Sequence, residues 1–166
     1  MDRQYTRLDT VRELIDQIIS SIRDEETKRC AYVHLYGVGL MAALLALKRG
    51  NDRRTAELAE IAGMLHDIVS YADPSADRAD HAHLSAEYAK KHILDRLDGF
   101  TDDEKQMICE GIYNHSDKQI QGTAFDELIK DADAAQHALR NPMEDYFWLQ
   151  ERYQRVVREL DRKSVV

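Results

Sequence analysis

The chain has 166 residues, enough for one domain with a substantial core and short for two. Hydrophobic residues make up 43% and charged residues 33%, with only 7 Gly and 2 Pro, a balance that fits an all-α protein and argues against a loop-rich or disordered one. A net charge of -8 argues against a general binder of nucleic-acid polymer or membrane surface, because both are polyanions; the longest basic clusters, Arg53-Arg54 and Lys90-Lys91, read as solvated helix faces.

In chain order, Val11, Leu14, Ile15, Ile18, Ile19 and Ile22 fall at helical spacing, with Thr10 and Glu13 placed as a capping box. A second helix is expected from about Glu25 to Arg49, stopped by Gly50, with Cys30, His34, Val38, Met41 and Leu45 along one stripe. Gly37 and Gly39 inside it leave room for another helix or a ligand to approach His34. A third, from about Arg54 to Tyr71, carries His66 and Asp67 and is ended by Asp73-Pro74. A fourth runs from near Asp80 to Leu97 with His81 and His83 in its first turn; two positions apart, only one of these can point inward.

Gly99 closes that helix, and Thr101 with Glu104 caps a fifth carrying Ile108, Gly111, Ile112 and His115 on one face. A sixth, from Thr123 to about Arg140, shows Leu128, Ile129, Ala132, Asp133 and Gln136 on one face, and Asp131 is expected off it, toward solvent. Asn141-Pro142 starts a last helix with Tyr146, Leu149, Tyr153, Val156 and Leu160 inward and with Phe147 and Trp148 as packing or partner contacts, which leaves a homodimer open. Cys30 and Cys109 have no paired spacing and read as free buried thiols; with no apolar signal segment and no run near ~20 apolar residues, the expected location is the cytoplasm.

The chemistry concentrates where polar residues interrupt apolar stripes. His66 and Asp67 stand side by side in the run from Leu58 to Val69, where a carboxylate beside an imidazole is costly unless something binds them. His34, His115 and Asp133 repeat the anomaly on other helices. Several helices each aiming such a side chain inward point to one shared metal site.

In order, His34, His66-Asp67, His81 or His83, His115 and Asp133 resemble the HD-domain metal-dependent phosphohydrolase superfamily, over roughly residues 30–139 of a single domain spanning 1–166. Ile61-Ala62-Gly63-Met64-Leu65-His66-Asp67-Ile68 is similar to the family's apolar run into its HD pair, and Lys130-Asp131-Ala132-Asp133 to the segment ending in its last Asp. The resemblance implies that His34, His66, Asp67 and Asp133 hold one divalent ion and that Asp67 bridges to a second held by His81 and His115. His81 is preferred to His83 because Ser85-Ala86 follows it as the family's small pair does. His66 and Asp67 would be the catalytic pair, and the ions (manganese, iron, cobalt, nickel or zinc) would supply a bound hydroxide that attacks a phosphate ester or anhydride of a nucleotide or other small phosphorylated metabolite.

Two departures stand out. Ser70 occupies the position where many binuclear relatives carry a phosphate-clamping Lys, which leaves Lys118, Arg78 and His83 as candidate substrate contacts, with solvated surface as the ordinary role of Lys118 and Arg78. Ala135 and Gln136 replace the leucine and acidic residue that commonly follow the last Asp, which implies a different pocket. The alternatives to a phosphohydrolase are a di-iron oxygenase, which some HD proteins are, and a non-catalytic ligand-binding or scaffold protein, which would be expected to have lost a ligand.

Overall fold

The computed structural model describes residues 5–140 and 150–160, and within them the regular structure is entirely helical, as expected. Helix α1 spans Arg7–Ser20 and begins one turn earlier than the Thr10–Glu13 pair suggests. Its capping box is Thr6 with Asp9: the Thr6 hydroxyl accepts the Asp9 N–H at 3.2 Å and the Asp9 carboxylate accepts the Thr6 N–H at 3.1 Å. The earlier start adds Leu8 to the face that buries Val11, Ile15 and Ile19.

Helix α2 runs Glu25–Lys48, with a π-helical turn at Tyr32–Tyr36 centred on His34, and the chain leaves it through Gly50 at φ 82°. Contrary to the sequence expectation, this helix is long and apolar enough to cross a membrane, with a mean hydropathy of 1.8 over its most apolar stretch. Leu35, Val38, Leu45 and Ala46 are buried among its neighbours, the behaviour of a core helix, while Leu40, Leu44 and Leu47 remain exposed.

Helix α3 (Arg53–Leu65) returns antiparallel to α2 after a short loop, and Asp52 caps it by accepting the Thr55 N–H at 2.7 Å. The two cross at glycines: a Cβ on Gly63 would lie 2.8 Å from the Gly39 Cα, closer than packed atoms allow. This contact brings the helix bearing His34 against the one leading to His66.

The third helix does not continue to Tyr71. It stops at Leu65, and residues 66–68 form a turn closed by bonds from Ile68 N–H to Leu65 O (3.1 Å) and from Ser70 N–H to Asp67 O (3.0 Å), before a single helical turn, Val69–Ala72. Neighbours on a regular helix diverge by ~100°, so a broken turn is what lets both His66 and Asp67 face one centre.

Helix α4 (His81–His92) ends before the expected Leu97, which is reached through a 3₁₀ turn, Leu94–Arg96. Helix α5 (Asp102–Asn114) has the expected Thr101–Glu104 capping box. Helix α6 (Ala124–Arg140) lies across α2, and α7 (Gln150–Leu160) lies on its outer side. The expected start of the last helix at Asn141-Pro142, with Tyr146, Phe147, Trp148 and Leu149, falls outside the described residues.

Sandwiched in this way, α6 is buried on two faces, which overturns the solvent-facing expectation for Asp131. Asp131 is 1% exposed and accepts from Arg49 at 2.7 Å, from Arg152 at 2.9 Å and from Arg155, while Lys130, also 1% exposed, donates to the Ile120 carbonyl at 2.8 Å. On α7, Val156 is buried as expected, but Leu160 is exposed and Arg152 takes the inward position. Cys30 and Cys109 are free and only half-buried.

Candidate metal centre

Four imidazoles converge at the middle of the bundle, each fixed by its Nδ1. That of His66 lies 2.7 Å from the Gly63 carbonyl, that of His115 2.7 Å from Ile112 O and that of His81 2.8 Å from Arg78 O. Each of these acceptors is the carbonyl three residues back. The fourth, His34, points its Nδ1 at Gln136 Oε1, 2.7 Å away, while the Gln136 amide donates to Val33 O at 3.1 Å. Gly37 makes this possible, because a Cβ there would sit 2.9 Å from Gln136 Cγ. With every Nδ1 facing an acceptor, the proton of each neutral imidazole belongs on Nδ1, and every Nε2 is turned to the centre.

Those Nε2 atoms surround the Asp67 carboxylate from both sides. Its Oδ2 is 3.3 Å from His34 and 3.4 Å from His66, and its Oδ1 is 3.3 Å from both His81 and His115. Asp133 Oδ1 completes the first group at 3.6 Å from His34 and 3.5 Å from His66. The nitrogens crowd one another as well, 3.1 Å between His34 and His66 and 3.3 Å between His81 and His115.

Donors bound ~2.0–2.2 Å from one ion at tetrahedral or octahedral angles lie roughly 2.9–3.6 Å apart, so these separations suit an ion in each half of the cluster. Asp67 Oδ1 and Asp133 Oδ1 are buried without a hydrogen-bond donor, an arrangement that a cation resolves. Of the two candidate histidines, His81 joins the cluster. His83 turns away, 2.6 Å from Asp80 and stacked on Tyr113 with ring centroids 3.8 Å apart.

The protein's own charges show the same demand for a cation. Burial disfavours an imidazolium at His66, but Asp67 and Asp133 outweigh it and raise its pKa to about 10. Burial likewise opposes ionisation of Asp67 and Asp133, yet the surrounding imidazoles, and Lys118 for Asp133, hold both carboxyls well below their usual range. For His115, burial wins and lowers the pKa to about 4. Near neutral pH the ion-free cluster therefore keeps a proton on His66, and an ion entering there has to displace it. Calorimetry in buffers of different ionisation enthalpy is expected to record about one proton released as the first ion binds near pH 7, with apparent affinity rising about tenfold per pH unit toward pH 10. Binding without proton release would contradict this account.

Lys118 stands inside the centre, not on the surface: its Nζ donates to Asp133 Oδ2 at 2.6 Å and to the His115 carbonyl at 2.7 Å. Arg78 is exposed and lines a cleft of about 560 Å³ together with Ser70, Tyr71 and His81. Partial burial, and then the charge of Asp67, push the phenol of Tyr71 up to about 12. Gln136, expected on the inward face of its helix, positions His34, and His137, which the sequence did not single out, has its Nε2 3.4 Å from Asp133 Oδ1. Helical spacing of one turn from Asp133 was the available signal for His137.

A bundle that gathers a histidine and aspartate cluster around an HD turn defines a class, and the comparison agrees with it. The HD domain family profile matches residues 31–138, a stretch holding every residue of the cluster, and the chain belongs to that family, within the metal-dependent phosphohydrolase superfamily. Neither the curated proteins nor the solved structures gave a match.

Proposed function

We propose that the protein is a metal-dependent phosphohydrolase that cleaves an ester or anhydride bond of a small phosphorylated metabolite, a nucleotide among the candidates. The observation that carries this reading is the Asp67 carboxylate, whose two oxygens each face a different set of ligands. Bound divalent ions supply Lewis acidity toward phosphoryl oxygens and lower the pKa of water. His34, His66, Asp67 and Asp133 would hold one such ion, and Asp67, His81 and His115 the other.

The remaining work falls to the chain's own groups. Backbone carbonyls and Gln136 lock the imidazoles, and Lys118 occupies the outer oxygen of Asp133. Tyr71, on the wall of the cleft beside His81, stays protonated at neutral pH. This cleft has the volume of small-molecule sites and carries Arg23 and Arg78 on its wall beside Asp24, Asp73 and Asp77, so the pull on an anionic ligand would come chiefly from the bound ions, and Ser70 cannot supply the charge that a Lys would. The net charge of -8 supports a small substrate over a nucleic-acid polymer, and the two free thiols suit a reducing cytoplasm.

The test is phosphate release from a panel of nucleotides and phosphodiesters by protein reconstituted separately with manganese, iron, cobalt, nickel and zinc. At least one metal is expected to raise turnover by about 10² or more over chelator-treated protein. Metal uptake without turnover on any phosphorylated compound would count against the hydrolase and favour a binding role.

A further inference from the structure

We propose that His137 is itself a ligand of the metal centre, joining His34, His66, Asp67 and Asp133 at the first ion. The proposal rests on the metal-binding reading above and adds to the ligand set that the sequence resemblance implies.

Position on α6 comes first. His137 follows Asp133 by four residues and therefore lies one turn along the same face, with Gln136, the partner of His34, beside it. Distance comes second. His137 Nε2 is 3.4 Å from Asp133 Oδ1, inside the interval of 3.3 to 3.6 Å that separates the other imidazole nitrogens from the two carboxylates. Its ring centroid is 4.8 Å from that of His34, and the neighbouring pairs within the cluster stand at 4.9, 4.7 and 5.1 Å.

The identity of the facing atom is the third point. Lys118 occupies Asp133 Oδ2, so Oδ1 is the oxygen left for an ion, and Oδ1 is the atom His137 approaches. His137 is also the most open member of this group, its side chain 27% exposed against 3% for His34 and 0% for His66, which puts it at the mouth of the site.

An asymmetry follows. With His137 bound, the first ion would be held by five side chains and the second, by Asp67, His81 and His115, by only three, which would leave more room for substrate at the second. Substrate oxygens and water would then collect on the His81 side, where the cleft lies.

The experiment uses the full chain loaded with cobalt(II), whose unpaired electrons displace the ring N–H proton signals of every histidine bound to it. Proton NMR is expected to show one displaced exchangeable signal for each of His34, His66, His81, His115 and His137. His137→Gln is expected to lose one of them, and chelator competition to show the tighter ion weakened by about tenfold or more. His83→Gln, which alters a histidine facing away, is expected to change neither. Signals for only the four other histidines in the parent protein would overturn the proposal while leaving the metal centre standing, and this count holds even if a variant fails to fold. No displaced signal at all, with no cobalt retained, would overturn the metal-binding reading and this proposal with it.

Discussion

Asp67→Ala is expected to fold yet lose its metals, with content falling from about two equivalents to one or fewer and turnover falling by about 10³ or more. Among the six residues of the expected ligand set, Asp67 alone turns one carboxylate oxygen to each half of the cluster. Its removal leaves the second half with His81 and His115, and two imidazoles without an anion make a poor site for a hard divalent ion. The first half keeps His34, His66 and Asp133, but His66 loses one of the two carboxylates that raise its pKa. Elemental analysis of chelator-free preparations, beside circular dichroism to establish folding, reads the result. Retention of two equivalents would refute the bridging role.

The same substitution has a pH signature in ion-free protein. A folded pKa raised to about 10 at His66 contributes stability that is fully present below 6.5, the ordinary value, and is lost as pH rises through about 10. The parent should lose stability over that window on denaturant titration. Asp67→Ala should lose less, because the shift it would forfeit depends on the missing carboxylate.

The largest expected effect on stability lies away from the metal centre, at Asp131. This carboxylate, 1% exposed, is held at once by Arg49 from the end of α2 and by Arg152 and Arg155 from α7. Arg152, 8% exposed, also donates to Glu127 at 2.8 Å and to the Lys118 carbonyl at 2.8 Å. Removing one partner of a buried charge pair costs about 3–5 kcal/mol, because the other is left without compensation. Asp131→Ala is therefore expected to lower the melting temperature by roughly 10 °C, the size such a loss has in a chain of this length. Asp131→Asn retains the acceptor oxygen and should fall between. Since Lys118 also carries the contact to Asp133, loosening α7 is expected to weaken metal binding as well, a coupling that a simple surface ion pair would not produce. A change in melting temperature below 2 °C would show that the network is screened by solvent.

Much of this protein was legible in the sequence, for definite reasons. Apolar spacing located the helices, and Gly50, at positive φ, marked the end of α2, whereas Gly99, also at positive φ, lies in the loop after α4 and its 3₁₀ turn, since α4 already ends at His92. The polar residues in apolar stripes, His34, His66, Asp67, His115 and Asp133, are the ones the bundle gathers, because a buried charge without a partner is too costly to be incidental. What periodicity does not contain is the direction of a side chain at a break in a helix or beneath a second layer. The turn at residues 66–68 and the π turn at His34 are departures from regular helix, and they appear only once α2 and α3 close on each other at Gly39 and Gly63.

Asp131 and His137 illustrate the same limit from two sides. A single helix has one face toward its core, so Asp131 reads as solvated until α7 covers it. His137 reads as one more residue near a helix end until Asp133, one turn away, is seen to be part of a shared centre. The sequence by itself determined which residues have a chemistry that needs a partner. The tertiary structure decided which of them meet, because contacts between distant segments depend on how helices cross and what lies over them, and neither is written in the local pattern of a chain.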